Sequence, residues 1–318
     1  MQAKESFPVS CVTDLVYSAP EGKPLAADLY LPQGVGERLP MILWLHGGAW
    51  RFGDRKLGPD LTRYFAQNGF AMASIDYRLS TDAIFPAQIQ DVKTAIRWLR
   101  SIADRYGLDS GRIGLWGSSS GGHLAALAAT SGPGIFESAE HSEYSSSVQA
   151  VVDGYGPTDF LQMDAHRDPG GKPSDDPESI QLPPGMRTAD ADSPESLLLG
   201  SPVPTCPERV REANPIAYAK PGLPPFLILH GLSDTAVPAH QSELLYAALT
   251  AHGNDVTLSL VEGLGHGFLN RNHFDQGPPR RTIMRHRSGG GAENVTDGPA
   301  VSFAGIEDFF REHLDARD

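Results

Sequence analysis

Gly117-Ser118-Ser119-Ser120-Gly121 sets a serine between two glycines, directly after the apolar run IGLW and before the helix-like HLAALAA. A G-x-S-x-G pattern between strand and helix is the setting a nucleophilic serine needs, because it puts the hydroxyl on a sharp, exposed turn. The flanking glycines remove side chains that would strike the neighbouring strand and helix. The central position selects Ser119 over Ser118 and Ser120. A serine hydroxyl attacks only when a base takes its proton, and the base in turn needs an orienting acid. Of eleven histidines, His266 has the setting for a base: it lies in Gly265-His266-Gly267-Phe268 after the alternating run VTLSLV, with small neighbours that let the imidazole turn. Asp234, in HGLSDTAVP after an apolar run, sits where an orienting acid belongs, on a loop at the carboxyl end of a strand. Helix capping is the alternative role for it.

A second loop has matching chemistry. His46-Gly47-Gly48-Ala49-Trp50 follows the apolar MILWL, and a glycine pair there lets backbone N–H groups approach a developing oxyanion. Gly48 and Ala49 are the expected donors beside the amide of Ser120, with Gly47 as the turn or a further donor. Trp50, Tyr77, Val237 and Phe268 are assigned to the walls of a substrate pocket. His46 reads as a brace for its own loop, and His123 and His230 as packing residues.

These groups need a scaffold that brings strand ends together. Short apolar runs bounded by glycine and proline, at 41–46, 70–76, 112–117, 148–154, 225–230 and 256–261, read as strands of a mostly parallel, twisted sheet. Ile89, Val92, Ile96, Leu99, Ile102 and Tyr106 recur at helical spacing after Pro86 and stop at Gly107. Strand, helix, strand order implies right-handed crossovers, with helices on both faces. Residues 11–18 and 25–31, joined by Ala19-Pro20-Glu21-Gly22, read as an antiparallel hairpin, and 306–314 as a final helix. The whole chain reads as one α/β domain with two insertions. The first, 157–223, contains DPGGKPSDDPESIQLPPGM and is expected to be a cap or lid. The second, 269–300, is expected to be a loop: it holds Arg271, Arg280, Arg281, Arg285 and Arg287, then Gly289-Gly290-Gly291. Its arginines could recognise a substrate carboxylate or clamp the loop, and the glycines could hinge it; a solvated loop without a role is the plainer alternative.

Composition narrows the partners. The net charge of −13 repels polyanions, which argues against nucleic acid and anionic membrane surfaces. Cys11 and Cys206 stand far apart, in neither a disulfide framework nor a metal-ligand spacing. The start, MQAKESFPVSCV, lacks the apolar core of a signal peptide and no run approaches a membrane span, so a cytoplasmic protein is expected. Asn294-Val295-Thr296 is a glycosylation sequon without secretory context.

The order Ser119, Asp234, His266 is the α/β-hydrolase order and not that of chymotrypsin or subtilisin. HGGAW, DYRLS, GSSSGGHLA, ANPIAYA, PPFLILHGLSDTAVP and GLGHGF together resemble hormone-sensitive-lipase-like esterases, and in particular bifunctional feruloyl and acetyl xylan esterases and related carboxylesterases. The resemblance covers roughly residues 10–268 and the last helix. It implies an α/β-hydrolase fold, a triad of Ser119, Asp234 and His266, and an oxyanion hole in the HGGAW loop. The segment 269–300 departs from the family, whose members run almost directly from the histidine loop into the final helix.

The expected reaction is ester hydrolysis through an acyl-enzyme, needing no metal or cofactor, on short-chain or aromatic esters of acetyl or feruloyl type. The substrate is expected to be a small molecule or an oligosaccharide ester. A peptidase or amidase on the same fold would use the same residues, though the chain carries no propeller-like domain to select oligopeptides. A non-catalytic binding protein on the hydrolase fold is the third reading.

Overall fold

The computed structural model describes residues 6–167, 183 and 185–315. Its centre is the sheet anticipated from the apolar runs: β3 (Leu39–Leu45), β4 (Ala71–Ile75), β5 (Leu108–Ser118), β6 (Ala150–Gly154), β7 (Phe226–Gly231) and β8 (Val256–Val261). These six lie parallel in the order β4-β3-β5-β6-β7-β8. Both faces are covered, which is why β3, β4, β6 and β7 are buried along their whole length and carry no polar alternation. β1 (Val9–Ser18) and β2 (Leu25–Pro32) form the expected antiparallel hairpin, and β2 continues the sheet antiparallel to β4.

Strand alternation divides the core in two. Leu43 and Leu45 of β3 face one side, where α2 (Ala87–Ser101), α4 (Ser120–Ser131) and α8 (His240–Ala251) contribute Ile96, Leu124 and Leu249. Ile42 and Trp44 face the other, against Leu61 of α1 (Leu61–Tyr64) and Phe303 and Phe310 of α9 (Phe303–Asp315). The helix expected to run to Gly107 breaks at Ile102, and its last turn is the separate α3 (Ala103–Tyr106), ended by Gly107 at φ 67°.

In the first expected insertion, most of the Pro/Gly-rich run lies outside the described residues. The described parts are α5 (Phe160–His166), α6 (Pro194–Leu199) and α7 (Pro207–Ala213) with short 3₁₀ turns. Leu198, Leu199, Val203 and Val210 are buried in the main core, so this part of the segment is an integral layer.

The second expected insertion is not a loop. β9 (Thr282–Arg287) pairs antiparallel with β8 along its length, and β10 (Asn294–Gly298) pairs with β9. The hairpin extends the sheet to ten strands among the described residues. Its charged composition hid it, since edge strands carry charge where inner strands carry apolar residues. Arg281 pairs with Glu262 at 2.9 Å and Asp297 at 3.0 Å. Arg285 pairs with Glu293 at 2.7 Å and lies over the Tyr246 ring. These two arginines thus serve the hairpin's own attachment. No helix among the described residues is long and apolar enough to cross a membrane.

Candidate active site

Ser119 stands between the end of β5 and the start of α4 at φ 55°, ψ −120°. A non-glycine residue there costs on the order of 1–3 kcal/mol, which the surrounding contacts must offset. Its N–H donates to Gly154 O at 2.7 Å and its carbonyl accepts from His123 N at 3.0 Å, so strand β6 and helix α4 hold the turn from both sides. A Cβ on Gly121 would lie 2.0 Å from Leu45 O, which excludes any side chain.

His266 and Asp234 arrive from the loops after β8 and β7. His266 Nδ1–H donates to Asp234 Oδ2 at 2.7 Å, which leaves Nε2 to accept from the Ser119 hydroxyl at 2.8 Å. The Asp234 side chain is fully buried, and its Oδ1 accepts from Ala236 N and Val237 N at 2.9 Å each. Burial opposes its charge, but the charge of His266 and the hydrogen bonds from His230 and His266 outweigh that and hold the carboxyl well below the usual range. The three residues picked from the sequence therefore meet in one hydrogen-bonded chain.

The loop after β3 is strained beside them. Gly48, Ala49 and Trp50 have φ of 118°, 53° and 56°. A Cβ on Gly48 would lie 2.0 Å from Phe52 O, so only glycine fits. Gly48 and Ala49 are partly exposed, whereas Gly47 is buried. Among the described residues no acceptor takes the amides of Gly48, Ala49 or Ser120. His46 is fully buried, with Nδ1 2.6 Å from Gly47 O and its ring stacked on Tyr77 at 4.3 Å. Burial pushes its pKa down, as suits a neutral brace.

The four residues assigned to the pocket wall are placed otherwise. Trp50, Tyr77, Val237 and Phe268 are 1%, 3%, 6% and 0% exposed. Trp50 packs edge-on against His123 and Phe160 at 5.2 and 5.6 Å, and the Tyr77 hydroxyl donates to His46 O at 2.9 Å. Phe268 lies in the core on the α9 side, against Tyr155 and Phe274. All four side chains pack into the core, Trp50, Tyr77 and Val237 on the α2/α4/α8 side and Phe268 on the α9 side.

Several residues escaped the sequence reading. Tyr155, at φ 43° just after β6, sets its ring 4.8 Å from His266, and its hydroxyl accepts from Leu269 N at 3.0 Å. Ser118 donates to Asn270 Oδ1 at 2.8 Å. His230 is within 3.4 Å of Asp234. Position at the carboxyl end of a strand was the available signal for Tyr155 and His230.

A parallel sheet with this elbow defines an α/β-hydrolase fold, as expected, and several of the proteins it resembles carry esterase names. The chain belongs to the BD-FAE family, whose description matches residues 27–249. It is 34% identical over 232 residues to the esterase LipC of Mycobacterium tuberculosis, covering 72% of this chain and 53% of that protein. The chain spans about half the length of the curated relatives it matches first. Among solved structures, a truncated carbohydrate esterase from gut microbiota superposes with a TM-score of 0.75 at 29% identity, covering 99% of both chains. A butyrate-bound esterase from the planctomycete Thermogutta terrifontis superposes at 0.63 and 26% identity, over 83% of this chain and 85% of that one.

Proposed function

We propose that the protein is a serine carboxylesterase in which Ser119 is the nucleophile, His266 the general base and Asp234 the orienting acid. The observation that carries this is the chain of hydrogen bonds from Ser119 Oγ through His266 to Asp234, at 2.8 and 2.7 Å. His266 Nε2 takes the hydroxyl proton as Ser119 Oγ attacks the ester carbonyl. The carbonyl π pair moves onto oxygen, and we assign the amides of Gly48, Ala49 and Ser120 as the donors that receive that charge. The imidazolium, stabilised by Asp234, then protonates the departing alcohol. Water, activated by the same histidine, releases the acid from the acyl-enzyme.

The substrate class we assign is a short-chain or aromatic acyl ester of acetyl or feruloyl type, borne on a small molecule or an oligosaccharide. The likeness to a carbohydrate esterase over the full length of both chains supports a sugar-borne ester. Turnover of p-nitrophenyl acetate, butyrate and octanoate, methyl ferulate and acetylated xylan tests both levels. No turnover of any ester by the folded protein overturns the esterase reading. A preference for octanoate overturns the short-chain assignment.

A further inference from the structure

His230, the penultimate residue of β7, has no exposed side-chain surface and cannot touch a substrate. Its surroundings nevertheless determine its protonation. Nε2 faces Val237 O at 2.9 Å and Asp234 Oδ2 at 3.4 Å, one a carbonyl and the other an ionised carboxylate. Both only accept, so Nε2 must carry a proton. Nδ1 lies 2.7 Å from Ser242 Oγ in the first turn of α8, and in the neutral ring it accepts from that hydroxyl. The two acceptors at Nε2 thus set the tautomer, and Ser242 anchors the other edge of the ring.

We infer that His230 is a positioning residue for Asp234, a reading that rests on the triad assignment above. His266 donates to Oδ2 at 2.7 Å, the His230 Nε2–H given to Val237 O passes within 3.4 Å (N to O) of the same oxygen, and two backbone amides hold Oδ1. Val237 links the parts, giving its N–H to Asp234 and taking the His230 proton on its carbonyl. The carboxylate plane is thus fixed toward His266 from β7 and α8 together. The His230 donor also withdraws charge from Oδ2, so Asp234 stabilises the His266 imidazolium less than a bare carboxylate would. The titratable groups around His230 are Asp234 on the following loop, Asp153 and Tyr155 at the end of β6, and His266 beyond Asp234.

The test compares wild type with His230→Phe, His230→Gln, Ser242→Ala and Ser119→Ala. His230→Phe should lower kcat between about tenfold and a hundredfold, leave KM within about twofold, and move the acid limb of the kcat/KM profile up by about half a pH unit. His230→Gln, which restores an N–H near the Nε2 position, should recover most of both. Wild-type kcat and profile in folded His230→Phe overturns the proposal. So does a loss with an unmoved acid limb and no recovery in His230→Gln, the signature of packing alone. Should His230→Phe not fold, Ser242→Ala must lower kcat and move the limb in the same direction by less, and an unmoved limb overturns the proposal. The far-downfield proton resonance of the His266–Asp234 bond reads the same geometry without turnover. It should shift in His230→Phe, or in Ser242→Ala if that variant alone folds, and an unmoved resonance overturns the proposal even in an inactive protein. Residual activity in Ser119→Ala would instead reject the triad, independently of His230.

Discussion

Ser118 and Ser119 are adjacent, yet their hydroxyls go to opposite sides of the strand end. Ser119 Oγ meets His266 Nε2 at 2.8 Å, while buried Ser118 Oγ donates to Asn270 Oδ1 at 2.8 Å. The turn at Ser119 produces the separation, and it assigns the two hydroxyls different work. Ser119→Ala should lower kcat by about 10⁶ with the fold intact. Ser118→Ala should keep most of the turnover but lose about 1 kcal/mol of stability, because half-buried Asn270 loses a donor. Kinetics and urea denaturation on both variants check this, and a reversed pattern would place the nucleophile wrongly.

Phe268 follows the histidine loop but packs into the core on the α9 side. Phe268→Ala should therefore cost about 3–5 kcal/mol of stability. At a temperature where the variant stays folded, the ratio of acetate to ferulate turnover should be that of wild type. A changed ratio with unchanged stability would return Phe268 to the pocket wall.

Asp153 on β6 accepts from Gly156 N at 3.0 Å and is almost wholly buried. Burial raises its pKa to about 6, against the Gly156 hydrogen bond. A raised carboxyl favours the fold in its neutral form. Its contribution is whole below the unfolded value of about 4 and is lost as pH rises through the folded value. Asp153→Asn stays neutral throughout. The unfolding free energy of the variant minus that of wild type should grow by on the order of 2 kcal/mol between pH 4 and 7. Urea titrations across that range decide it, and a flat or falling difference contradicts the assignment.

The sequence revealed the site's chemistry more fully than its surroundings. Ser119, Asp234 and His266 were legible because each lies in a short motif whose spacing repeats a chemical requirement. β8 was legible to the residue because VTLSLV alternates apolar and polar side chains with the period of a strand. β9 was not: TIMRHR is half-buried at the sheet's margin, and its arginines looked like solvent-facing charge. The burial of Trp50 was equally hidden, since the direction of a side chain leaving a strained turn depends on φ and ψ at that turn.

Those arginines give a further expectation. Arg285 is taken up by Glu293 and by the Tyr246 ring. Arg285→Ala should leave the ratios across the ester panel unchanged. Replacing residues 272–299 by a brief Gly/Ser linker should instead lower the melting temperature and promote aggregation, because it strips the partner from β8 and bares a row of backbone N–H and C=O groups. Altered ester preference without loss of stability would give the segment a role in recognition.

Two links, the buried Leu269 N to Tyr155 Oη and the half-buried Ser118 Oγ to Asn270 Oδ1, fasten the histidine loop to the nucleophile's own strand and its neighbour β6. The hairpin begins only beyond that fastening. The β9–β10 hairpin is thus mechanically downstream of the chemistry, and a lineage could lengthen, shorten or exchange it while the base stayed in register with the serine. Amide hydrogen exchange should show the corresponding hierarchy: β9 and β10 opening first, Leu269 protected long after them, and esterolysis persisting in molecules whose outer strands have already come undone.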